Sequence, residues 1–205
     1  LGTRVGDNAR SFVQFTASSP CFFGMGFYYA WLYLSFYSPS LFPRAARTFF
    51  LVDAAWACGA WGFAVFLVLY LLLFRKILCF CPRRILLRIA FIATSAGTAV
   101  ALLPTMMATV VNGFPHETSG PFDTDGIFAA VGMVISGIAS AGIILLWGGA
   151  YQKLNAREIL GVASGSMVVG ALIFAVAVNL PSAFISLLLV CFPLASEVCL
   201  ERCDN

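Results

Sequence analysis

The residues able to do chemistry in this chain are few, and the cysteines come first. Residues 75–84 read RKILCFCPRR, a Cys-x-Cys (Cys79, Cys81) between paired basic residues, and Cys199 and Cys203 form a Cys-x-x-x-Cys farther on. Four thiolates bind zinc tetrahedrally when two segments bring them together. The spacing is not that of a zinc ribbon, and reduced, unlinked cysteines at a membrane surface are the plainer reading. Cys21, Cys58 and Cys191 lie inside apolar runs, where a free cysteine behaves as a small hydrophobe.

A second candidate is the segment HETSGPFDTDG, which gathers His116, Glu117, Asp123 and Asp125. Imidazole and carboxylates can hold a divalent cation, but a solvated acidic loop explains the same residues, and DTDG is too short for an EF-hand. His116-Glu117 begins like a zinc-protease helix and continues Thr-Ser-Gly, without the second histidine. There is one histidine in all and no phosphate-binding Gly-Lys-Ser/Thr, so no enzyme and no cofactor are expected.

Asp53 is the third candidate, in FFLVDAAWACGAW. A carboxylate near the edge of a hydrocarbon layer costs on the order of 1–3 kcal/mol unless paired or hydrated, and so marks a functional position by default. Arg44 or Arg47 could pair with it, which is also the purely structural explanation. Trp56 follows one helical turn later. With Trp61 and with Tyr28, Tyr29 and Trp31 from an aromatic-rich first apolar run, these residues make a ligand-pocket hypothesis; the competing role of the aromatics is an interfacial belt.

The elements that must position these residues are set by composition. Of 205 residues, 61% are hydrophobic and 10% charged, against about 25% charged in soluble domains. An all-α integral membrane protein follows, because a soluble core of this size cannot cover so much apolar surface. A span needs about 20 apolar residues, and six runs qualify: 20–38, 48–74, 86–111, 127–148, 159–178 and 180–198. Residues 1–19 and 199–205 are left as cytoplasmic end segments. Pro104 predicts a kink in the third span, and Pro181 and Pro193 lie near the ends of the sixth.

Placement of charge gives orientation. With the N-terminus cytoplasmic, Arg4, Arg10, Arg75, Lys76, Arg83, Arg84, Arg88, Lys153, Arg157 and Arg202 fall inside, and only Arg44 and Arg47 outside. The positive-inside rule therefore puts both termini in the cytoplasm of a multi-pass plasma-membrane protein. RKILCFCPRR becomes the cytoplasmic turn between spans two and three, and its basic residues serve topology; the turn lies too close to the bilayer to follow a nucleic-acid duplex. Only residues 112–126 make a long connection on the outer face.

Three spans per half permit an inverted repeat. A weak echo supports it: Tyr37 then LFPRA from Leu41, and Tyr151 then LNARE from Leu154. Small-residue pairs Gly161–Gly165, Ser166–Gly170 and Ser136–Ser140 allow close helix packing inside the bundle or, less simply, at a homodimer face.

The turn between spans two and three is where major facilitator transporters carry GxxxD[RK]xG[RK][RK]. Arg83 and Arg84 match its closing basic pair; Arg75, Cys79 and Pro82 stand where the first glycine, the aspartate and the second glycine belong. The chain more closely resembles bacterial LuxR-type regulators with a major-facilitator-like membrane domain, in AWLYLSFYSPSLFP, TFFLVDAAWACGAW and ILLWGGAYQKLNARE, about a quarter of its length. That resemblance implies a six-helix bundle like half of a major facilitator, sensing a small ligand and signalling to a DNA-binding module downstream on the same polypeptide. About seven residues follow the sixth run, too few for any DNA-binding fold, so this chain itself is expected to bind lipid and ligand but no nucleic acid. The rivals are the N-terminal half of a secondary transporter and a cytoplasmic-face thiol or metal sensor.

Overall fold

The computed structural model describes residues 20–37, 49–80, 83–112, 124–152 and 154–204, and these fold into six α-helices with no strand among them. They are α1 (Pro20–Tyr37), α2 (Phe49–Phe80), α3 (Arg83–Asn112), α4 (Thr124–Tyr151), α5 (Ala156–Ala177) and α6 (Ser182–Asp204). Each coincides with one apolar run, because uninterrupted apolar residues leave the backbone to satisfy its own hydrogen bonds, and a helix does so within one segment. The N-terminal segment, most of the 112–126 connection (with His116, Glu117 and Asp123), Arg44 and Arg47 lie outside the described residues; so does the side chain of Asp125.

Two boundaries differ from expectation. The helix α2 runs on through Arg75 to Phe80, and α3 already begins at Arg83, so both helices extend into the connection expected between the second and third runs. At the other end, α6 continues to Asp204 with Pro193 inside it, where a tail from residue 199 was expected. The four-residue run Glu197–Leu200 carries no helix breaker, and Leu200 is fully buried, so packing holds the last turns in place.

The connections α4–α5 and α5–α6 are short and closed by local bonds. Asn155 caps α5: its side chain accepts from the Glu158 N–H at 3.0 Å and its own N–H donates to the Glu158 carboxylate at 3.0 Å. This reciprocal box satisfies two donors that a helix start otherwise leaves open. At the far end of α5, Asn179 donates its side-chain amide to the Ala175 carbonyl at 2.7 Å, and Pro181 leads into α6.

Helix packing follows a simple pattern. The helix α1 packs on α5 and α6, α4 packs on α2 and α3, and α3 packs on α6, with a lesser α4–α6 contact. Exchanging α1 for α4, α2 for α5 and α3 for α6 leaves the principal contacts unchanged. Glycine positions repeat the same exchange. A Cβ on Gly137 of α4 would strike the Gly59 carbonyl of α2, and one on Gly170 of α5 would lie 3.1 Å from the Gly26 carbonyl of α1. Gly26 and Gly137 are 111 positions apart in the chain, and so are Gly59 and Gly170.

Burial is inverted relative to a protein in water. Among the most exposed large side chains are Leu71, Leu72, Trp61 and Leu160, while Ser35, Thr94, Ser95, Thr98, Ser136, Ser140, Ser166, Ser186 and Ser196 are buried. Contiguous exposed apolar surface on this scale is what a bilayer covers. Three helical segments, Ile127–Tyr151, Ala156–Ala177 and Ser182–Cys203, are long and apolar enough to cross a membrane by length and composition. Among the described residues α2 and α3 supply only shorter apolar stretches, Trp56–Leu72 and Arg88–Pro104, so three of the six expected spans are shown by that measure.

Candidate functional site

Several polar groups of the core converge on one seam between α1, α3 and α4, extended by α6. Thr94 and Thr98 lie one turn apart on α3 and bond back to their own helix, Thr94 to the Ala90 carbonyl at 2.9 Å and Thr98 to the Thr94 carbonyl at 2.8 Å. That habit lets a hydroxyl enter an apolar helix without being orphaned. Thr98 Oγ1 then accepts from Trp31 Nε1 of α1 at 3.1 Å. On α4, Ser136 reaches the Thr94 carbonyl at 3.3 Å and sits 3.4 Å from Thr98 Oγ1. One turn along α4, the Ser140 hydroxyl is hydrogen-bonded to the Tyr28 hydroxyl of α1 at 2.5 Å.

A matching pair lies farther along. Trp147 of α4 donates its indole N–H to Ser196 of α6 at 3.2 Å. Like Trp31 and Thr98, this pair joins a tryptophan of the first helix of a half to a hydroxyl of the third, at a different register. Tyr28, Thr94, Ser136, Trp147 and Ser196 are all nearly fully buried. Each such bond is worth about 0.6 kcal/mol on average and up to about 2 kcal/mol in a membrane interior, so the set fixes helix register more than it adds stability. No charged side chain is among the buried polar residues described. The seam can therefore exchange hydrogen bonds and repack.

The expected pocket residues do not form one group. Tyr28 and Trp31 do come together, their rings stacked with centroids 5.7 Å apart inside the core. Tyr29 points to another face, half-buried, in a ladder with Tyr33 at 6.2 Å. Trp56 packs on Phe36 at 5.3 Å, in a small separate cluster with Met133 and Ala129. Trp61, five residues on, is 71% exposed and faces outward. Asp53 lies in α2, and its side chain is outside the described residues.

On the opposing end, Arg88 is well exposed and pairs with Glu201 at 3.6 Å, joining α3 to α6. The side chains of Arg83 and Arg84 are outside the described residues, as are Cys81 and the Cys79 side chain. Cys199 is a free, half-buried thiol, whereas Cys203 is in a disulfide, contrary to the expectation that these cysteines are unlinked. A disulfide sulfur is no thiolate, so Cys203 in this state cannot complete a four-cysteine zinc site. Among the described residues no group of three or more His, Cys, Asp or Glu is placed to hold a metal.

Sequence reading missed Thr94, Thr98, Trp147 and Ser196, and took Ser136–Ser140 for a packing pair alone. The signal was present: hydroxyls at one-turn spacing inside long apolar runs favour partners on neighbouring turns and helices. The small-residue pair Ser166–Gly170 packs within the chain. Ser166 donates its hydroxyl within α5 to the Val162 carbonyl or across to the Phe22 carbonyl of α1, and Gly170 lies against Tyr29 and Ala30.

No family model, no curated protein and no solved structure matches this chain.

Proposed function

We propose that this chain is a six-span membrane bundle resembling one half of a major facilitator, and that it is the membrane-embedded sensory domain of a bacterial LuxR-type regulator. The observation that carries the architecture is the exchange symmetry of the helix contacts, two three-helix units with matched glycine crossings. Three spans per unit make the second unit enter the membrane from the opposite side, the inverted repeat on which secondary transporters are built. Both termini lie in the cytoplasm, where the positive-inside rule places them.

The sensory role rests on the filled, uncharged seam. Tyr28, Trp31 and Trp147 occupy the space between the paired units with their own side chains, each bonded to a hydroxyl on a neighbouring helix. A small uncharged ligand that competes for these bonds shifts the register of α1 and α4, and the shift reaches the cytoplasmic end of α6 through the packed core. The downstream module of the same polypeptide reads that change. Replacing Tyr28 and Trp31 with Phe in the full-length protein is expected to alter transcription of its target genes while its level in the membrane holds. An unchanged transcript profile in both variants would refute the sensory role. The same repeat favours a second reading, one half of a secondary transporter, which instead requires solute flux in proteoliposomes and no transcriptional shift.

A further inference from the structure

The last turn of α6 carries a sulfur with a covalent partner. Cys203 is in a disulfide, whereas Cys58, Cys191 and Cys199 are free, which leaves Cys21, Cys79 and Cys81 as the residues able to supply the second sulfur. Helix register separates these three. The principal neighbours of α6 are α1 and α3. The rings of Phe27 and Phe192 stack with centroids 5.9 Å apart, and a Cβ on Gly24 would sit 2.5 Å from the Cys199 Cβ. Numbers rise along α1 as they fall along α6, so the two helices run antiparallel.

Cys203 stands one turn beyond Cys199 on the same face of α6. The same step along α1 leads from Gly24 to position 21, a cysteine whose backbone lies in the first turn of that helix. A disulfide needs Cα atoms within about 7 Å of each other, and α1 and α6 come that close where Gly24 meets Cys199. On the other neighbour, the Arg88–Glu201 pair brings Cys203 level with Ile85, Leu86 and Leu87, where no cysteine stands.

We propose that Cys203 pairs with Cys21, and that this bond is a redox-operated latch between the start of α1 and the end of α6. The pairing rests on helix register alone; the cytoplasmic position of the latch rests on the topology proposed above. Thiols there are ordinarily reduced, so the latch is open by default and closes on oxidation. Opening consumes two molecules of a low-molecular-weight thiol of the glutathione class. The first, as thiolate, attacks one sulfur of the pair, forming a mixed disulfide and freeing one cysteine. The second attacks the mixed disulfide, frees the other cysteine and leaves as the oxidised dimer. Two electrons and two protons pass to the cysteine pair, and closing is the reverse with the oxidised dimer as oxidant. Cys203 is only partly buried, so a small thiol reaches it. Closed, the latch holds the end of α6 to α1; open, that end is held by packing and by the exposed Arg88–Glu201 pair.

The whole chain in lipid nanodiscs, equilibrated in glutathione buffers from fully reduced to fully oxidised, tests this. Free thiols are trapped with iodoacetamide, and the unreduced digest is read by mass spectrometry. A Cys21–Cys203 peptide pair is expected in the oxidised buffer and should fall at least about tenfold in the reduced one. The double variant Cys79→Ser, Cys81→Ser should keep the pair, and Cys21→Ser should leave Cys203 alkylated. Cys203 joined to Cys79 or Cys81, or alkylated in every buffer, overturns the pairing. A pair that survives the reduced buffer undiminished overturns the latch. In cells, a membrane-impermeant maleimide should reach reduced Cys203 only after permeabilisation. Labelling of intact cells would overturn the cytoplasmic placement and the proposed topology with it, a failure distinct from a wrong pair.

Discussion

Adding one methyl group at Gly137 should be among the most damaging conservative changes in this protein. The new Cβ would sit within van der Waals distance of the Gly59 carbonyl oxygen and 3.1 Å from the Gly59 Cα, both backbone atoms that no rotamer change can move aside. The α2–α4 crossing must open along its length, and overpacking of this kind costs about 1–3 kcal/mol. The control is Gly148 on the same helix, where a Cβ meets nothing within 4 Å. There Ala removes backbone freedom from the unfolded chain and should be neutral or stabilise by up to about 1 kcal/mol. The two variants should therefore differ by about 1–4 kcal/mol, or roughly five- to a thousandfold in the unfolding equilibrium. Unfolding in mixed micelles with increasing SDS, followed by circular dichroism, reads this directly. If Gly137→Ala and Gly148→Ala unfold together within about 0.5 kcal/mol, the close crossing and the repeat built on it are wrong.

Further outcomes follow from the seam and the surface. A double-mutant cycle of Tyr28→Phe and Ser140→Ala should give a coupling of about 0.6–2 kcal/mol, since the two hydroxyls bond each other; no coupling would separate them. Trp31→Phe should destabilise more than Trp61→Phe, because the Trp31 N–H bonds Thr98 in the core while Trp61 is 71% exposed; SDS unfolding of both variants checks the order. Glu201→Gln should change stability by less than about 1 kcal/mol, because its ion pair with Arg88 is exposed and screened. A loss several times larger in the same assay would show that this pair holds α3 to α6.

Much of the fold was legible in the sequence because helix placement here depends on uninterrupted apolar length, which composition displays. All six helices fell on the six runs, and Pro181 stands in the connection between α5 and α6. What the sequence hid was the direction each side chain faces. Tyr28 and Tyr29 are neighbours of one type, yet one is buried against Ser140 and the other lies half-buried beside Tyr33, because adjacent residues on a helix point about 100° apart. With aromatics around the whole of α1, no amphipathic stripe marks its inner face. Trp56 and Trp61 looked like one pocket in sequence and face different surroundings for the same reason. The repeat was hinted at by Tyr37 and Tyr151, but its clearer trace is the shared spacing of Gly26, Gly59, Gly137 and Gly170. That spacing acquires meaning only once the crossings are seen.

The central claim, six spans in two inverted units with both termini inside, is tested most directly by reporter fusions placed after each helix. Joining alkaline phosphatase or green fluorescent protein after Tyr37, Phe80, Asn112, Gln152 and Asn179 samples every connection. Phosphatase activity is expected after Tyr37, Asn112 and Asn179, and fluorescence after Phe80 and Gln152. Two consecutive fusions reporting the same side would remove a span and break the repeat, and an inverted alternation would place the termini outside.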